Sequence, residues 1–278
     1  MKLIDGKAAS AALREMLKKE VENLEQAGIT PGLAVILIGN DPAVRASANG
    51  KKRACTEMGL YFEEYPFPNS VSQQELVDLI QKLNKKPDID GITIQAPLPN
   101  HINREVVLSA IAPEKDVDGG SFYHAGRLFC GAGKFTPCVA ASVLELLDRN
   151  GIDVAGKECV VVGRSNAIGK PIALTLMQRN GTVTVCHSKT RNLKTICKRA
   201  EILVTAVGKA KFFGADHVKP GAVVIDVGMD RDEAGRICGD VDIAAIGGAA
   251  SVAAQAPEGI APMAVTMLIK NTIQAAKR

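Results

Sequence analysis

The stretch that decides the fold is CVVVGRSNAIGKPIALTL, residues 159–176. It begins with a short apolar run, passes through a turn that contains Gly163 and Gly169, and continues with a pattern typical of a helix. Gly163 allows the backbone to turn sharply where the strand ends. A helix that starts after such a turn presents free N–H groups and partial positive charge, which favour a phosphate. The stretch therefore predicts a phosphate-binding strand–turn–helix. A purely structural turn is the alternative, because the spacing is not GxGxxG.

The strand that follows this turn indicates which dinucleotide would bind. NAD enzymes usually place an acidic residue about 20 residues further on, where it holds a ribose hydroxyl. Here that strand ends in His187-Ser188-Lys189, with Arg191 just beyond, and it carries no acid. Together with Arg164 in the first turn, these residues favour a 2′-phosphate, and therefore NADP over NAD. The alternative is that Lys189 and Arg191 are ordinary surface charges.

The rest of the chain alternates strand and helix patterns, which is typical of a layered α/β fold. The first half has strand patterns at 33–39 and 91–95 and helical patterns at 43–58, 73–84 and 104–111. A Gly-rich stretch at 118–134 is expected to be irregular and is followed by a linking helix at 139–150. The second half has strand patterns at 158–162, 182–186, 202–205 and 222–227, and helical patterns at 168–179, 193–200 and 262–276. Two α/β domains follow from this arrangement.

Composition limits the class of protein. A chain of 278 residues fits two domains at roughly 100–200 residues each. The net charge of +4 is spread without a basic block and there is no Trp, so nucleic-acid binding has little support. No apolar stretch approaches the ~20 residues of a membrane span. The seven cysteines form no CxxC pair and the first residues lack an apolar signal run, so we expect a cytoplasmic protein without a zinc site.

Several motifs occur in order along essentially the whole chain: DGITIQAPLP, KDVDG, TPC at 136–138, GRSNAIGKP, VTVCHSKT and VIDVGMD at 224–230. With them the chain resembles the bifunctional methylenetetrahydrofolate dehydrogenase/cyclohydrolase family. The resemblance implies an N-terminal α/β folate domain and a Rossmann-like NADP-binding domain with a cleft between them. The expected limits are 1–137, joined by the C-terminal helix 260–278, for the first domain and 138–259 for the second.

The family's reactions set the expected function. The resemblance implies oxidation of 5,10-methylenetetrahydrofolate to the methenyl form with NADP, followed by hydrolysis to 10-formyltetrahydrofolate. It further implies a place in one-carbon metabolism and purine biosynthesis, and a homodimer formed through the Rossmann-like domain. A tetrahydrofolate derivative is the expected partner, and neither nucleic acid, a membrane nor a metal is expected.

The resemblance also implies a set of catalytic residues. The segment GNDPAVRASANGKKRAC places the family's catalytic lysine at Lys51, where burial would lower the pKa of the amine. Gln95 is similar to the glutamine that orients this lysine. Asp118 is similar to the aspartate that pairs with the N–H groups of the pterin ring, for which a carboxylate can accept two hydrogen bonds. On the residues alone, Lys51 would be interpreted as a solvated helix charge, and a turn residue is the alternative for Asp118. The resemblance favours the catalytic roles.

Two further groups of residues are expected to bind ligands. The expected substrate-binding residues are Ser47, Pro97, Leu98, Pro257 and Gly259. The expected cofactor-binding residues are Gly163, Arg164, Ser165, Gly169, Ser188 and Met229.

Departures from the family pattern cluster on the folate side. Ser47 stands where the family has a tyrosine, Ala96 where it has leucine, and Glu258 where it has glycine. The segment after Cys138 also differs, with Val139-Ala140-Ala141. Two alternatives stay open on these grounds. One is a dehydrogenase with a changed substrate or without cyclohydrolase activity, and the other is a non-catalytic homologue that binds the cofactor.

Overall fold

The computed structural model describes residues 1–277, which form two compact units. The three-stranded unit comprises residues 12–138 and 265–277, and the six-stranded unit comprises residues 1–11 and 139–264. Both are α/β, as the alternating sequence pattern predicts. Helices α1 (Gly6–Gln26) and α10 (Ala261–Ala276) each have residues in both units.

The three-stranded unit is built around one parallel sheet in the order β3-β2-β4. Every residue of the central strand is buried, which explains its continuous apolar sequence GLAVILI. Helices follow each strand of this sheet along the chain. The elements are β2 (Gly32–Ile38), α2 (Pro42–Glu57), β3 (Tyr61–Phe67), α3 (Gln73–Lys85), β4 (Gly91–Ile94), α4 (Arg104–Ser109) and α5 (Phe122–Phe129).

Helix α1 was not predicted from the sequence, and two elements that lie wholly in this unit also differ from the sequence-based prediction. The Gly-rich stretch at 118–134 is not wholly irregular, because α5 forms inside it. Ser121 caps this helix, because its hydroxyl accepts a hydrogen bond from the His124 N–H. Strand β3 has no predicted counterpart because its sequence, YFEEYPF, mixes charges and proline with aromatic residues. Pairing with the buried strand β2 makes it a strand nonetheless.

The six-stranded unit has a parallel sheet in the order β1-β11-β8-β7-β5-β6. Strand β1 pairs with β11, which brings the first residues of the chain into this unit. A small antiparallel hairpin, β9–β10, accompanies the main sheet. The elements are β1 (Lys2–Leu3), α6 (Cys138–Arg149), β5 (Glu158–Val162), α7 (Gly169–Gln178), β6 (Thr182–Cys186), α8 (Leu193–Cys197), β7 (Ile202–Thr205), β8 (Val223–Asp226), β9 (Asp230–Arg231), β10 (Ile237–Cys238), α9 (Ile243–Ile246) and β11 (Val252–Ala254).

The sheet topology decides where a ligand can bind. All strand pairs of the six-stranded sheet are parallel, so the carboxyl ends of its strands share one edge. In open sheets of this kind ligands bind at that edge. Among residues 1–277, no helix combines the length and the apolar character that a bilayer span requires.

Candidate functional site

The polar residues Ser47, Lys51 and Gln95 converge in the three-stranded unit. Lys51 Nζ donates to Gln95 Oε1 at 2.6 Å and to Ser47 Oγ at 3.1 Å. Ser47 Oγ lies 3.3 Å from the same Gln95 oxygen. Ser47 and Lys51 are one turn apart on α2, while Gln95 directly follows β4. Two distant segments thus bring three side chains into one hydrogen-bonded group.

Local sequence signals determine where α2, the helix that contains Ser47 and Lys51, begins. The Asp41 carboxylate caps the helix by accepting from the Ala43 N–H at 2.7 Å, and Pro42 occupies the first turn. Strand β4 pairs directly with β2, and the Gln95 N–H donates to the Ile36 carbonyl. The orientation of Gln95 is therefore set by the sheet, and that of Lys51 by the helix that follows the central strand.

Burial sets the electrostatics of Lys51. Loss of solvent lowers the pKa of its amine, while the Asp118 carboxylate and the Cys138 and Cys55 thiols act in the opposite direction. Burial also raises the pKa of Cys55 to about 12, so that thiol stays protonated. A lysine whose amine gives up its proton more readily than usual is better suited to proton transfer than a solvent-exposed lysine.

Asp118 belongs to the same electrostatic environment. Burial raises the pKa of its carboxyl group, and a hydrogen bond from the Cys138 thiol opposes that rise. The loop around it is shaped by the fully buried Asp116, which accepts from the Gly120 N–H at 3.2 Å and the Ser121 N–H at 2.9 Å. Asp118 thus lies on a loop whose backbone is fastened by a neighbouring carboxylate.

Asn271 is a contributor that the sequence analysis did not identify. Its amide donates to the Val117 carbonyl at 2.8 Å and to the Thr136 carbonyl at 3.3 Å, and it lies 3.7 Å from Cys138 Sγ. It therefore ties the segment before Asp118 to the segment before Cys138. A lone asparagine on an apolar helix carries no local signal for this role, because its partners lie more than 130 positions away in the chain.

The expected substrate-binding residues fall in both units. Pro97 is exposed and Leu98 half-buried directly after Gln95, and the Ala96–Pro97 peptide bond is cis. Pro257 and Gly259 belong to the six-stranded unit. Gly259 is buried, and a side chain there would meet the Gln255 carbonyl at 2.9 Å. Glu258, between them, is exposed.

The turn after β5 is built around two glycines. Gly163 has φ 137°, and a Cβ there would lie 2.3 Å from the Ala206 carbonyl oxygen. A Cβ at Gly169 would lie 2.2 Å from the Gly163 carbonyl oxygen, so both positions require glycine. Arg164 and Ser165 are exposed in this turn, ahead of α7. Ser165 Oγ accepts from the Ile168 and Gly169 N–H groups at 3.2 and 3.4 Å, which orders the turn.

The end of β6 is compatible with a 2′-phosphate. The Thr190 hydroxyl accepts from the His187 N–H at 2.9 Å, and His187 Nδ1 accepts from the Lys189 N–H at 3.1 Å. These bonds form a tight turn on which Ser188 and Lys189 are exposed. No carboxylate lies in this turn to repel a phosphate, so the residues present fit NADP. Met229, after β8, is 61% exposed.

Two buried aspartates at the same edge of the sheet were not predicted from the sequence. Asp226 ends β8 and Asp240 follows β10, and both are fully buried. Burial raises the pKa of both carboxyl groups, that of Asp226 to about 6. The signal for them was the pair of glycines, Gly228 and Gly239, that accompany the two acids in the sequence.

Known proteins match this chain over its full length. The family model described as "Tetrahydrofolate dehydrogenase/cyclohydrolase, catalytic domain" matches residues 4–118, and the one described as "Tetrahydrofolate dehydrogenase/cyclohydrolase, NAD(P)-binding domain" matches residues 137–278. "Bifunctional protein FolD" of Acetivibrio thermocellus is 51% identical over 99% of this chain and 97% of its own length. The Bacillus subtilis protein of the same name is 48% identical over 99% and 98%.

Solved structures agree with these matches. The crystal structure of the bifunctional FolD enzyme from Campylobacter jejuni superposes with a TM-score of 0.97 at 39% identity, covering 100% of this chain and 99% of that one. The Trypanosoma brucei methylenetetrahydrofolate dehydrogenase-cyclohydrolase, complexed with NADP and an inhibitor, gives 0.94 at 34% identity, covering 99% and 97%. With the geometry of its two units, these matches show that the chain belongs to the tetrahydrofolate dehydrogenase/cyclohydrolase family.

Proposed function

We propose that this protein oxidises 5,10-methylenetetrahydrofolate to 5,10-methenyltetrahydrofolate with NADP, and then hydrolyses that product to 10-formyltetrahydrofolate. The observation that carries the proposal is the convergence of Lys51 and Gln95, 2.6 Å apart, in a chain of this family. A solvated helix lysine would extend into solvent, whereas Lys51 Nζ donates to the side chain of the residue that directly follows β4. The contact instead supplies a nitrogen of defined position and lowered pKa.

Lys51 is proposed to move protons during hydrolysis. Water that adds to the methenyl carbon must lose a proton, and the nitrogen that leaves this carbon must gain one. An amine whose pKa is lowered by burial can perform both transfers, because its protonated and neutral forms are closer in free energy. Gln95 Oε1 accepts a hydrogen bond from Lys51 Nζ and so aims the amine.

Asp118 is proposed to bind the pterin ring. A carboxylate can accept two N–H hydrogen bonds at once, which suits the edge of that ring. Its own loop is held by the Asp116 and Asn271 contacts, so the acceptor is positioned before the substrate binds. Ser47, Pro97, Leu98, Pro257 and Gly259 are proposed to contact other parts of the substrate.

The NADP site is proposed to use the turns after β5, β6 and β8. When bound, NADP would supply the acceptor for the hydride that leaves the methylene carbon. The turn between Gly163 and Gly169, at the positive end of the α7 dipole, would receive the phosphates through the side chains of Arg164 and Ser165. The Gly169 and Lys170 N–H groups already bond to Ser165. Ser188 and its neighbour Lys189 would receive the 2′-phosphate, and Met229 would lie beside the ligand.

A second candidate function is a dehydrogenase with a different substrate or without hydrolysis. Ser47 favours it, because the family has a tyrosine there, whose ring would cover part of the pocket. In this protein the Ser47 hydroxyl takes part in the Lys51 network at 3.1 Å but offers no aromatic surface. The exposed Glu258, a carboxylate where the family has glycine, also favours a different substrate.

The setting of the enzyme is also part of the proposal. We propose a cytoplasmic homodimer that serves one-carbon metabolism and purine biosynthesis without binding nucleic acid or membranes. The family resemblance supports the dimer through the six-stranded unit. Strand β6, one of the two edge strands of that sheet, presents Val185 with 42% of its surface exposed, which suits a contact between subunits.

The decisive experiment is a steady-state assay of the purified protein with 5,10-methylenetetrahydrofolate and either NADP or NAD. NADPH formation and loss of the methenyl product report the two steps separately. Both activities are expected, with a preference for NADP. NADPH formation without hydrolysis would support the second candidate, and absence of both activities would refute the proposal.

A further inference from the structure

Two buried carboxylates fasten the loops that follow β7 and β8. The β7 loop (residues 206–211) and the β8 loop (residues 227–229) leave the sheet at the carboxyl ends of neighbouring strands. Asp240 Oδ2 accepts from the Val207 N–H at 2.7 Å, and Asp240 Oδ1 accepts from the Lys209 N–H at 2.8 Å. A single side chain, arriving from beyond the β9–β10 hairpin, therefore sets the backbone of the β7 loop.

Asp226 makes the complementary set of bonds. Its Oδ1 accepts from the Gly228 N–H at 3.0 Å and from the Asp240 N–H at 3.1 Å, and its Oδ2 accepts from the Val241 N–H at 3.0 Å. The Thr205 hydroxyl, at the end of β7, donates to Asp226 Oδ1 at 3.2 Å. Asp226 thus fixes the start of the β8 loop and the backbone of Asp240 itself.

Glycines make room for both carboxylates. A Cβ at Gly228 would lie 2.4 Å from Asp240 Cγ, and a Cβ at Gly239 would lie 1.9 Å from Asp226 Oδ2. Asp240 therefore fills the space beside Gly228, which is two residues after Asp226. Asp226 fills the space beside Gly239, which directly precedes Asp240. Two buried acids close together are costly, and burial raises the pKa of both. Burial of two carboxylates is unfavourable and requires glycine at two positions. We therefore expect the two aspartates to have a role in shaping the loops that they bind.

The strand order shows which part of NADP these loops would meet. Strand β5, which carries the phosphate turn, lies between β6 on one side and β7 and then β8 on the other. The strand after the phosphate turn receives the ribose of the adenosine half in sheets of this type. The nicotinamide half extends in the opposite direction along the edge, which is toward the β7 and β8 loops.

We propose that Asp226 and Asp240 are positioning residues that together hold the β7 and β8 loops in the shape that receives the nicotinamide half of NADP. This inference rests on the proposed NADP function. Neither aspartate touches the reacting atoms, and each acts through the backbone N–H groups that it fastens. The adenosine half is bound by the turns after β5 and β6 and does not depend on them.

The test compares two ligands on the full-length protein. Calorimetry measures the Kd of NADP and the Kd of adenosine 2′,5′-bisphosphate, which has the adenosine half only. Asp240→Asn replaces one acceptor oxygen with an NH₂ group that faces the N–H of Val207 or Lys209. The Kd of NADP should rise about tenfold or more, since one buried hydrogen bond is lost and one donor is left facing another. The Kd of the bisphosphate should stay within about twofold.

Matched variants control for folding. Asp232→Asn makes the same change in the neighbouring hairpin, where the carboxylate accepts from the Ala234 and Arg236 N–H groups within its own turn. It should leave both Kd values unchanged. Thr205→Val removes one hydroxyl bond to Asp226 at similar volume, and serves if Asp240→Asn does not fold. It should weaken NADP binding by about threefold, with the bisphosphate unaffected.

The outcomes separate this inference from the proposed function. Selective loss of NADP affinity, with a fall in kcat at saturating NADP, supports the positioning role. Equal loss of affinity for both ligands, or no loss for either, overturns it. If the unmodified protein binds neither ligand, the NADP function itself fails, and the role of the two aspartates fails with it.

Discussion

Replacement of Lys51 by methionine tests the catalytic group most directly. Methionine is unbranched and of similar reach, but it has no charge and no donor. In the folded protein the change removes the 2.6 Å bond to Gln95 and the 3.1 Å bond to Ser47. Hydrolysis should fall by about 10²–10⁴, the usual contribution of a positioned acid or base, or about 3–5 kcal/mol of activation free energy.

Dehydrogenation should suffer less from the same change. Hydride transfer depends on alignment of the methylene carbon with the ring that accepts the hydride, which is a positioning effect. We expect part of the dehydrogenase activity to survive, with a loss of about tenfold. The free energy of unfolding should change by about 2 kcal/mol or less. Two hydrogen bonds are lost, but the variant no longer buries an amine whose pKa burial has lowered.

The assay follows both half-reactions, with urea unfolding as a check on stability. Lys52→Met is the matched control, because Lys52 is the next residue on the same helix and is exposed. It should leave both rates unchanged. If Lys51→Met hydrolyses methenyltetrahydrofolate as fast as the parent, Lys51 is only a helix charge and the proposed mechanism is wrong.

Four further substitutions address the remaining assignments. Arg164→Ala should raise the KM for NADP by roughly tenfold to a hundredfold with little effect on NAD, and equal use of both cofactors by the parent protein would contradict the cofactor assignment. Asp118→Asn should cost about 1–3 kcal/mol of folate affinity in both half-reactions, and unchanged folate Kd would remove Asp118 from the site. Ser47→Tyr should tighten folate binding by about 0.5–1.5 kcal/mol, whereas weaker binding would favour the second candidate function. Burial raises the pKa of Asp226 to about 6 from the usual 3.8, so the folded protein holds this proton more tightly than the unfolded chain. Its contribution to the unfolding free energy should therefore fall by about 3 kcal/mol as the pH rises through that window, and a parent and an Asp226→Asn variant with the same pH dependence would refute this.

The fold class could be predicted from the sequence, because the relevant signals are local. Apolar runs specify the buried strands, and the pair Gly163 and Gly169 specifies a turn that no other residue would tolerate. The strands at 158–162, 182–186 and 202–205 have the predicted limits. The catalytic candidates came from motif resemblance. The contact between Lys51 and Gln95 agrees with that assignment, although their role stays a proposal.

Elements whose partners are distant in the chain could not be predicted from the sequence and became visible only in the folded structure. Strand β3 forms despite its charges because β2 offers a full row of backbone partners, and Glu63 and Glu64 pair with Lys86 and Arg45 at its sides. The hydrogen bonds of Asp226 and Asp240 likewise depend on partners that are distant in the chain. Their donors come from the ends of two neighbouring strands and from a hairpin that returns to the sheet. A sequence pattern reports which residues lie inside, whereas the partner of a buried carboxylate is settled only when the chain folds back on itself.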